Sequence, residues 1–174
     1  RMVSFNNTSI IRSGNDRDAK VSALLFDFND KKNKWNAGGN FSLSNIFEDK
    51  KTKTGYAYNV YFGKTSGKFN FNVWQNFSNN KYDNSDLAYF TNNNDIHTGL
   101  WMGYNWNKPA KWYNRLGTNV NFHLRNLASA IPGIEIKSKK FQRFFGNYNL
   151  HGQFKNLWQF GLNFNASSDY NDFY

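Results

Sequence analysis

The chain has no cysteine, only two prolines, and few carboxylates, 12 Asp and Glu against 22 Lys and Arg. Without cysteine there can be no disulfide and no thiolate metal site, and the redox compartment stays undetermined. It also lacks any apolar run of about eighteen residues, so no transmembrane helix is encoded. Leucine, isoleucine and valine are scarce, and no apolar stripe recurs at i, i+3, i+4. A helical or α/β domain would need that aliphatic volume for its centre. Glycine motifs of the Walker or dinucleotide type are missing. No signal peptide opens the sequence, which starts at Arg1 and reads as a mature or partial chain.

What is present is aromatic and amide. Phe, Trp and Tyr make up 20 % of the 174 residues, 30 are Asn, and mean hydropathy is −0.79. Disordered chains are poor in aromatics, so the polar composition does not mean disorder. The stretch "GKFNFNVWQNFS" (67–78) places Phe69, Phe71, Val73 and Phe77 on one parity and Lys68, Asn70, Asn72 and Asn76 on the other. Such period-two alternation marks a strand with two unlike faces. Nine segments follow the pattern, at about 2–11, 19–28, 35–45, 54–63, 68–78, 96–106, 112–125, 143–154 and 157–167.

The connections between them alternate in length. Short ones fall at 29–34, 64–67, 107–111 and 155–157, and long ones at 12–18, 46–53, 79–95 and 126–142. Short turns therefore gather at one end of the sheet and long loops at the other, as in outer-membrane barrels. Each short turn is bracketed by aromatics: Phe28 and Trp35, Phe62 and Phe69, Trp106 and Trp112, Phe154 and Trp158. Large rings suit the level where hydrocarbon meets headgroups, so these eight are the expected interface girdle. The opposite parity carries Asn, Gln, Ser and Gly, residues suited to a wet lumen in which side chains meet one another.

The expected fold is thus all-β, an antiparallel transmembrane β-barrel segment of about nine up-and-down strands. It spans 1–174 as a single unit and forms part of a larger barrel. Nine strands are an odd number, whereas bacterial single-chain barrels are even. The sheet is therefore expected not to close on itself, its edges being completed by further strands of the same polypeptide or by another envelope chain.

The charge of +10 would suit nucleic acid, anionic lipid or phosphate-bearing glycolipid. The densest runs, "KKTK" (50–53) and "KSKK" (137–140), fall in expected loops, where solvated charge is the plain explanation. A soluble β-rich domain binding glycan or single-stranded nucleic acid is the alternative. Stacking surfaces, however, interleave Arg and Lys with the rings, and here the aromatic parity is nearly free of charge. No Ser stands beside a His at a spacing that suggests a nucleophile, and no third ligand joins His97 and His123 in a metal site. The protein is accordingly expected to be non-catalytic and to need no cofactor.

Four stretches, "KTKTGYAYNVYFGKTSGKFNFNVWQ", "YDNSDLAYFTNNN", "GLWMGYNWNKPAKWYN" and "NLWQFGLNFNASSDYNDFY", resemble the C-terminal barrel region of the DUF5916 family of Bacteroidota outer-membrane proteins. The resemblance implies an outer-membrane location. In that family the barrel often follows a domain similar to a family 9 carbohydrate-binding module, which implies a link to glycans; the module is absent from these residues. It implies no catalytic residues. The partners then expected are outer-membrane lipids and lipopolysaccharide, the missing strands and glycan, but not nucleic acid. The role is that of a pore, a scaffold or an accessory to an uptake or assembly complex.

Two finer expectations concern register. The "KNL" connection should be a three-residue loop with Asn156 left-handed, since a two-residue turn would throw the last strand's rings inward. Setting Trp106 opposite Trp112 places His97 opposite Asn121 and diagonal to His123. With Arg125 beyond, these form a basic, lumen-facing patch near the long-loop end, favouring anions below about pH 6.5, where free His protonates.

Overall fold

A computed structural model describes residues 1–12, 17–87, 92–129 and 141–169. The described residues form one antiparallel sheet and contain no helix. Its strands are β1 (Met2–Ile10), β2 (Asp18–Asn29), β3 (Trp35–Glu48), β4 (Lys51–Lys64), β5 (Phe69–Ser78), β6 (Asp95–Trp106), β7 (Tyr113–Leu127), β8 (Phe141–Phe154) and β9 (Gln159–Ser167). Each pairs with its neighbours in sequence, in the order β1 to β9. β1 and β9 do not pair with each other, so the sheet is not closed.

Alternation gives the sheet two chemically distinct faces. Trp35, Ala37, Gly39, Phe41 and Leu43 of β3 lie beside Tyr56, Tyr58, Val60 and Phe62 of β4. Across β4 and β5, Phe62 stands opposite Val73 and Tyr58 opposite Phe77. The rings touch across strands: Trp35 stacks on Phe62 at 5.6 Å between centroids, and Tyr58 on Phe77 at 5.0 Å. Among the described strand residues, every exposed large apolar side chain except Met2 belongs to this aromatic face.

The other face is held by amides. Across β7, β8 and β9, Asn121 donates to Asn147, Asn147 to Asn165, Asn149 to Asn119 and Asn163 to Asn149, at 2.5–3.1 Å. Asn carries both donor and acceptor, so adjacent amides satisfy one another in rows across the strands. Three bulky residues on this face stand opposite glycine. Tyr61 faces Gly38, Trp74 faces Gly99 and His151 faces Gly117, and a Cβ on Gly99 would lie 2.1 Å from the Trp74 ring.

Three local expectations are corrected. The long loop expected at 46–53 is a two-residue turn, Asp49–Lys50, with both φ values positive (49° and 62°). This is the twist-matched hairpin turn. Its sequence hides it, because Lys in place of Gly gives no turn signal and Ile46, Phe47, Thr52 and Lys53 simply continue the ladder. Trp106 pairs with Leu116, not Trp112. Trp112 lies outside β7, and Tyr113 and Arg115 pair with β8 around a bulge at Asn114, whose amide donates to the Phe154 carbonyl. The three-residue loop 155–157 is present, with the Phe154 N–H donating to Trp158 O at 2.9 Å. Its left-handed residue is Leu157 (φ 72°), not Asn156. A type I turn across 154–157, closed by Leu157 N–H to Phe154 O at 3.1 Å, puts the left-handed position third.

Left-handed geometry costs an L-residue about 1–2 kcal/mol, and Leu157 is 69 % exposed, so little burial offsets it. Leu157→Gly should stabilise the hairpin by about 0.5–1 kcal/mol once the added freedom of the unfolded chain is subtracted. A higher urea midpoint with unchanged slope would show it; an unchanged or lower midpoint would refute it.

Candidate functional site

Three adjacent strands bring the basic residues together on the amide face. Register places His97 of β6 directly opposite Arg125 of β7, and Arg125 directly opposite Arg143 of β8. One step along, Gly99, His123 and Phe145 form a second row. The expected partner Asn121 of His97 is therefore replaced by Arg125, a shift of four residues that keeps the parity. His97 and His123 remain diagonal, and His97 Nε2 lies 3.1 Å from His123 Nδ1. One ring must accept while the other donates, so at least one imidazole is neutral while that contact holds.

Around this pair, Trp74 meets His123 edge-on at 5.6 Å, and the Phe145 ring lies 5.8 Å from His123. Asp95, two residues before His97, accepts from Arg125 Nε at 3.2 Å and Nη2 at 3.4 Å. The Arg143 guanidinium lies over the Phe145 ring at 5.9 Å. His97, His123, Arg125, Arg143 and Phe145 line a cavity of about 350 Å³. Sequence reasoning found the first three. It missed Arg143 and Phe145, although the parity of β8 places both on the amide face, because the β7–β8 register could not be read. Asp95 lay inside an expected loop.

The eight aromatics expected to form an interface girdle lie at the end of the sheet where β2–β3, β4–β5, β6–β7 and β8–β9 connect. Trp35, Phe62 and Phe71 form one ring cluster, and Trp112, Phe154 and Phe160 another. Phe28 and Phe69 are half-exposed on the aromatic face, Trp106 lies 4.5 Å from Tyr104, and Trp158 is exposed in the last turn.

At the opposite end the amide face is covered, which alternation gave no reason to expect. The 79–87 part of the β5–β6 connection folds back across β3 and β4. Tyr82 is buried with its backbone against Gly55, and the Asp83 N–H donates to Ser44 Oγ at 3.0 Å. Ser44, Ala19 and Ile46 are buried beneath it. Arg17 grips Asp83 at 2.7 Å and Asp86 at 2.8 Å, and Arg12 holds Asp86 at 2.8 Å. At the far end of the connection, Asn94 Oδ1 accepts from both N–H and Oγ of Ser129 at 2.8 Å.

Burial raises the Asp83 carboxyl, but hydrogen bonds from the Ser85 hydroxyl and N–H, together with Arg17, outweigh it and hold Asp83 down at about 2. A depressed carboxylate contributes stability in full above its ordinary value near 4, and that contribution is lost as pH falls toward 2. For a group this partly exposed it amounts to about 1–2 kcal/mol. Because the chain has no cysteine, an environment-sensitive dye on Lys81→Cys can report the connection alone. Its emission should change between pH 4 and about 2, and Asp83→Asn should abolish that transition. A transition identical in Asp83→Asn would refute the assignment.

The profile of the family described as Domain of unknown function (DUF5916) matches residues 1–174. The chain belongs to the DUF5916 family. No curated protein and no solved structure matches it. The nine-stranded sheet with one aromatic and one amide face is thus the architecture of the described residues of this DUF5916 chain.

Proposed function

We propose that this DUF5916 chain is part of the wall of an outer-membrane β-barrel, its aromatic face against lipid and its amide face toward the lumen. One observation carries the reading: exposed rings and aliphatics stand on the same face of eight of the nine strands, and the half-buried Leu100, Met102 and Tyr104 of β6 continue that face, backed by cross-bonded amides. In water such a face would expose far more contiguous apolar surface than a soluble monomer shows. In a bilayer, the strands' backbone groups are satisfied by their neighbours, as spanning structures require. The two edges, β1 and β9, take further strands of the same polypeptide or of another envelope chain.

The role is non-catalytic, that of a pore, a scaffold or an accessory to uptake or assembly in a Bacteroidota-type envelope, with lipid and lipopolysaccharide outside and glycan a candidate cargo. The test is made on the full-length polypeptide. After detergent extraction it should run at different gel mobilities before and after boiling. Its tryptophan fluorescence in vesicles should be quenched by lipids brominated on their acyl chains. A polypeptide that is monodisperse without detergent and insensitive to brominated lipid would sink this reading and favour a soluble glycan- or single-strand-binding domain.

A further inference from the structure

We infer that the amide face carries a binding site for a neutral saccharide at its short-turn end, in a cavity of about 600 Å³ bordered by Asn36, Tyr61, Gly63, Asn70, Asn72 and Trp101. Across β7 to β9 the amides of this face satisfy one another in rows. Here the row is broken. Asn36 of β3, Gly63 of β4, Asn72 of β5 and Trp101 of β6 follow one another directly across the strands, so Asn72 stands between a glycine and an indole. Among the described residues its amide makes no hydrogen bond, and the Trp101 ring meets no other ring. Asn70 donates Nδ2 to Gly67 O at 3.2 Å and keeps an unpaired Oδ1. Asn36 uses its Nδ2 on Asn29 Oδ1 at 3.0 Å, which leaves its own oxygen as an acceptor. Both rings are held in place: the Tyr61 hydroxyl donates to Asp27 Oδ2 at 2.5 Å, and Trp101 rests on Gly103, where a Cβ would lie 2.7 Å from the indole.

The face of an aromatic ring is electron-rich, and the C–H groups on one side of a pyranose are its complement. A planar amide offers donor and acceptor together, which matches neighbouring sugar hydroxyls that both donate and accept. Gly63 leaves the floor open, since a Cβ there would meet Phe71 O at 2.6 Å. The cavity's size falls in the range of small-ligand sites. Its lining holds no carboxylate, and Lys64 at the rim keeps its ammonium over the Phe69 ring at 5.9 Å. A neutral sugar therefore fits better than a nucleotide, whose phosphate calls for Arg or Lys beside the rings. The site gives the glycan cargo a place on the chain and rests on that part of the proposed function alone, because it stands on the amide face whatever the aromatic face meets.

The test uses the full-length polypeptide, in buffer or in a detergent without a sugar headgroup, with binding followed by calorimetry. The probes are neutral tetrasaccharides of glucose, mannose, galactose and xylose, with adenosine for comparison. At least one saccharide should bind, and Trp101→Ala should weaken the best of them about tenfold or more, as loss of an aromatic anchor does. Trp101→Phe, which keeps a ring, should fall between. Asn72→Leu, which keeps the size and loses both polar atoms, should weaken it several-fold. Trp158→Ala, in the exposed last turn, should bind as the wild type does. Should Trp101→Ala fail to fold, Trp101→Phe and Asn72→Leu decide. The proposal is overturned if no saccharide binds at about 10 mM, a concentration at which even weak specific binding registers. Tighter binding of adenosine at the same site would overturn it, as would wild-type affinity in the folded Trp101 and Asn72 variants, which would place the sugar elsewhere on the polypeptide. Gel mobility and lipid quenching report on the barrel separately, so either reading can fail without the other.

Discussion

Val73→Arg should abolish assembly of the folded, heat-modifiable form of the full-length polypeptide. Val73 lies on β5, the middle strand, opposite Phe62 of β4 and Leu100 of β6. Its side chain projects from the centre of the aromatic face. If that face meets hydrocarbon, a guanidinium there costs about 2–4 kcal/mol, a large fraction of the net stability of an ordinary domain. The comparison is Asn40→Arg, on the amide face between Leu25 and Asn59. There the charge can reach water, and the cost should stay under about 1 kcal/mol. The measure is the fraction recovered in the fast-migrating form from outer-membrane extracts. Equal recovery of the two variants would mean that the aromatic face does not lie in lipid.

The second large effect is expected at Gly55. A Cβ built there would lie 2.2 Å from both Cα and N of Tyr82 and 2.3 Å from the Lys81 carbonyl carbon. These are backbone atoms, so no rotamer change relieves the clash. Gly55→Ala should leave the β3–β4 ladder in place and lift the 79–87 stretch from the amide face, undoing the burial of Tyr82 and the Asp83 to Ser44 bond. At about 2–3 kcal/mol, the population of the lifted form should rise by roughly thirty- to a hundred-and-fiftyfold. Trypsin cleavage after Lys81 reads that population when opening is fast relative to cleavage. Gly161→Ala is the control, since nothing lies within 4 Å of its Cβ. Cleavage of Gly55→Ala at the rate of Gly161→Ala would show that the connection is not seated as described.

The strands, their order and their two faces were legible in the sequence because alternation is a local signal with a strict period. All nine strands lie where the alternation places them, and their bounds differ from the expected ones by a few residues at most. The register of the last hairpin held, with its three-residue 155–157 loop; what failed was the register of β6 against β7. Pairing Trp106 with Trp112 and pairing it with Leu116 put the same residues on the same faces, so alternation cannot choose between them. The register observed sets His123 over Gly99, where the ring has room that a side chain at that position would deny it. The same blindness hid Arg143 from the basic cluster. The seating of the β5–β6 connection was illegible for another reason: Tyr82, Ser44 and Gly55 are far apart in sequence, and none is unusual in its own strand or loop.

The opposition of large residues and glycines on the amide face has a mechanical consequence. A slip of one residue between strands is already forbidden, because it would exchange the two faces. A slip of two is not, since it preserves every inside and outside assignment, and a sheet as repetitive as this one could slide that way under lateral load. Yet sliding β6 by two against β5 would move Gly99 from beneath Trp74 and bring Trp101 or His97 into its place, where two large groups cannot share the space of one. The glycines thus act as sockets and the rings as teeth, and together they make a ratchet that fixes shear between strands where hydrophobic patterning alone would leave it loose.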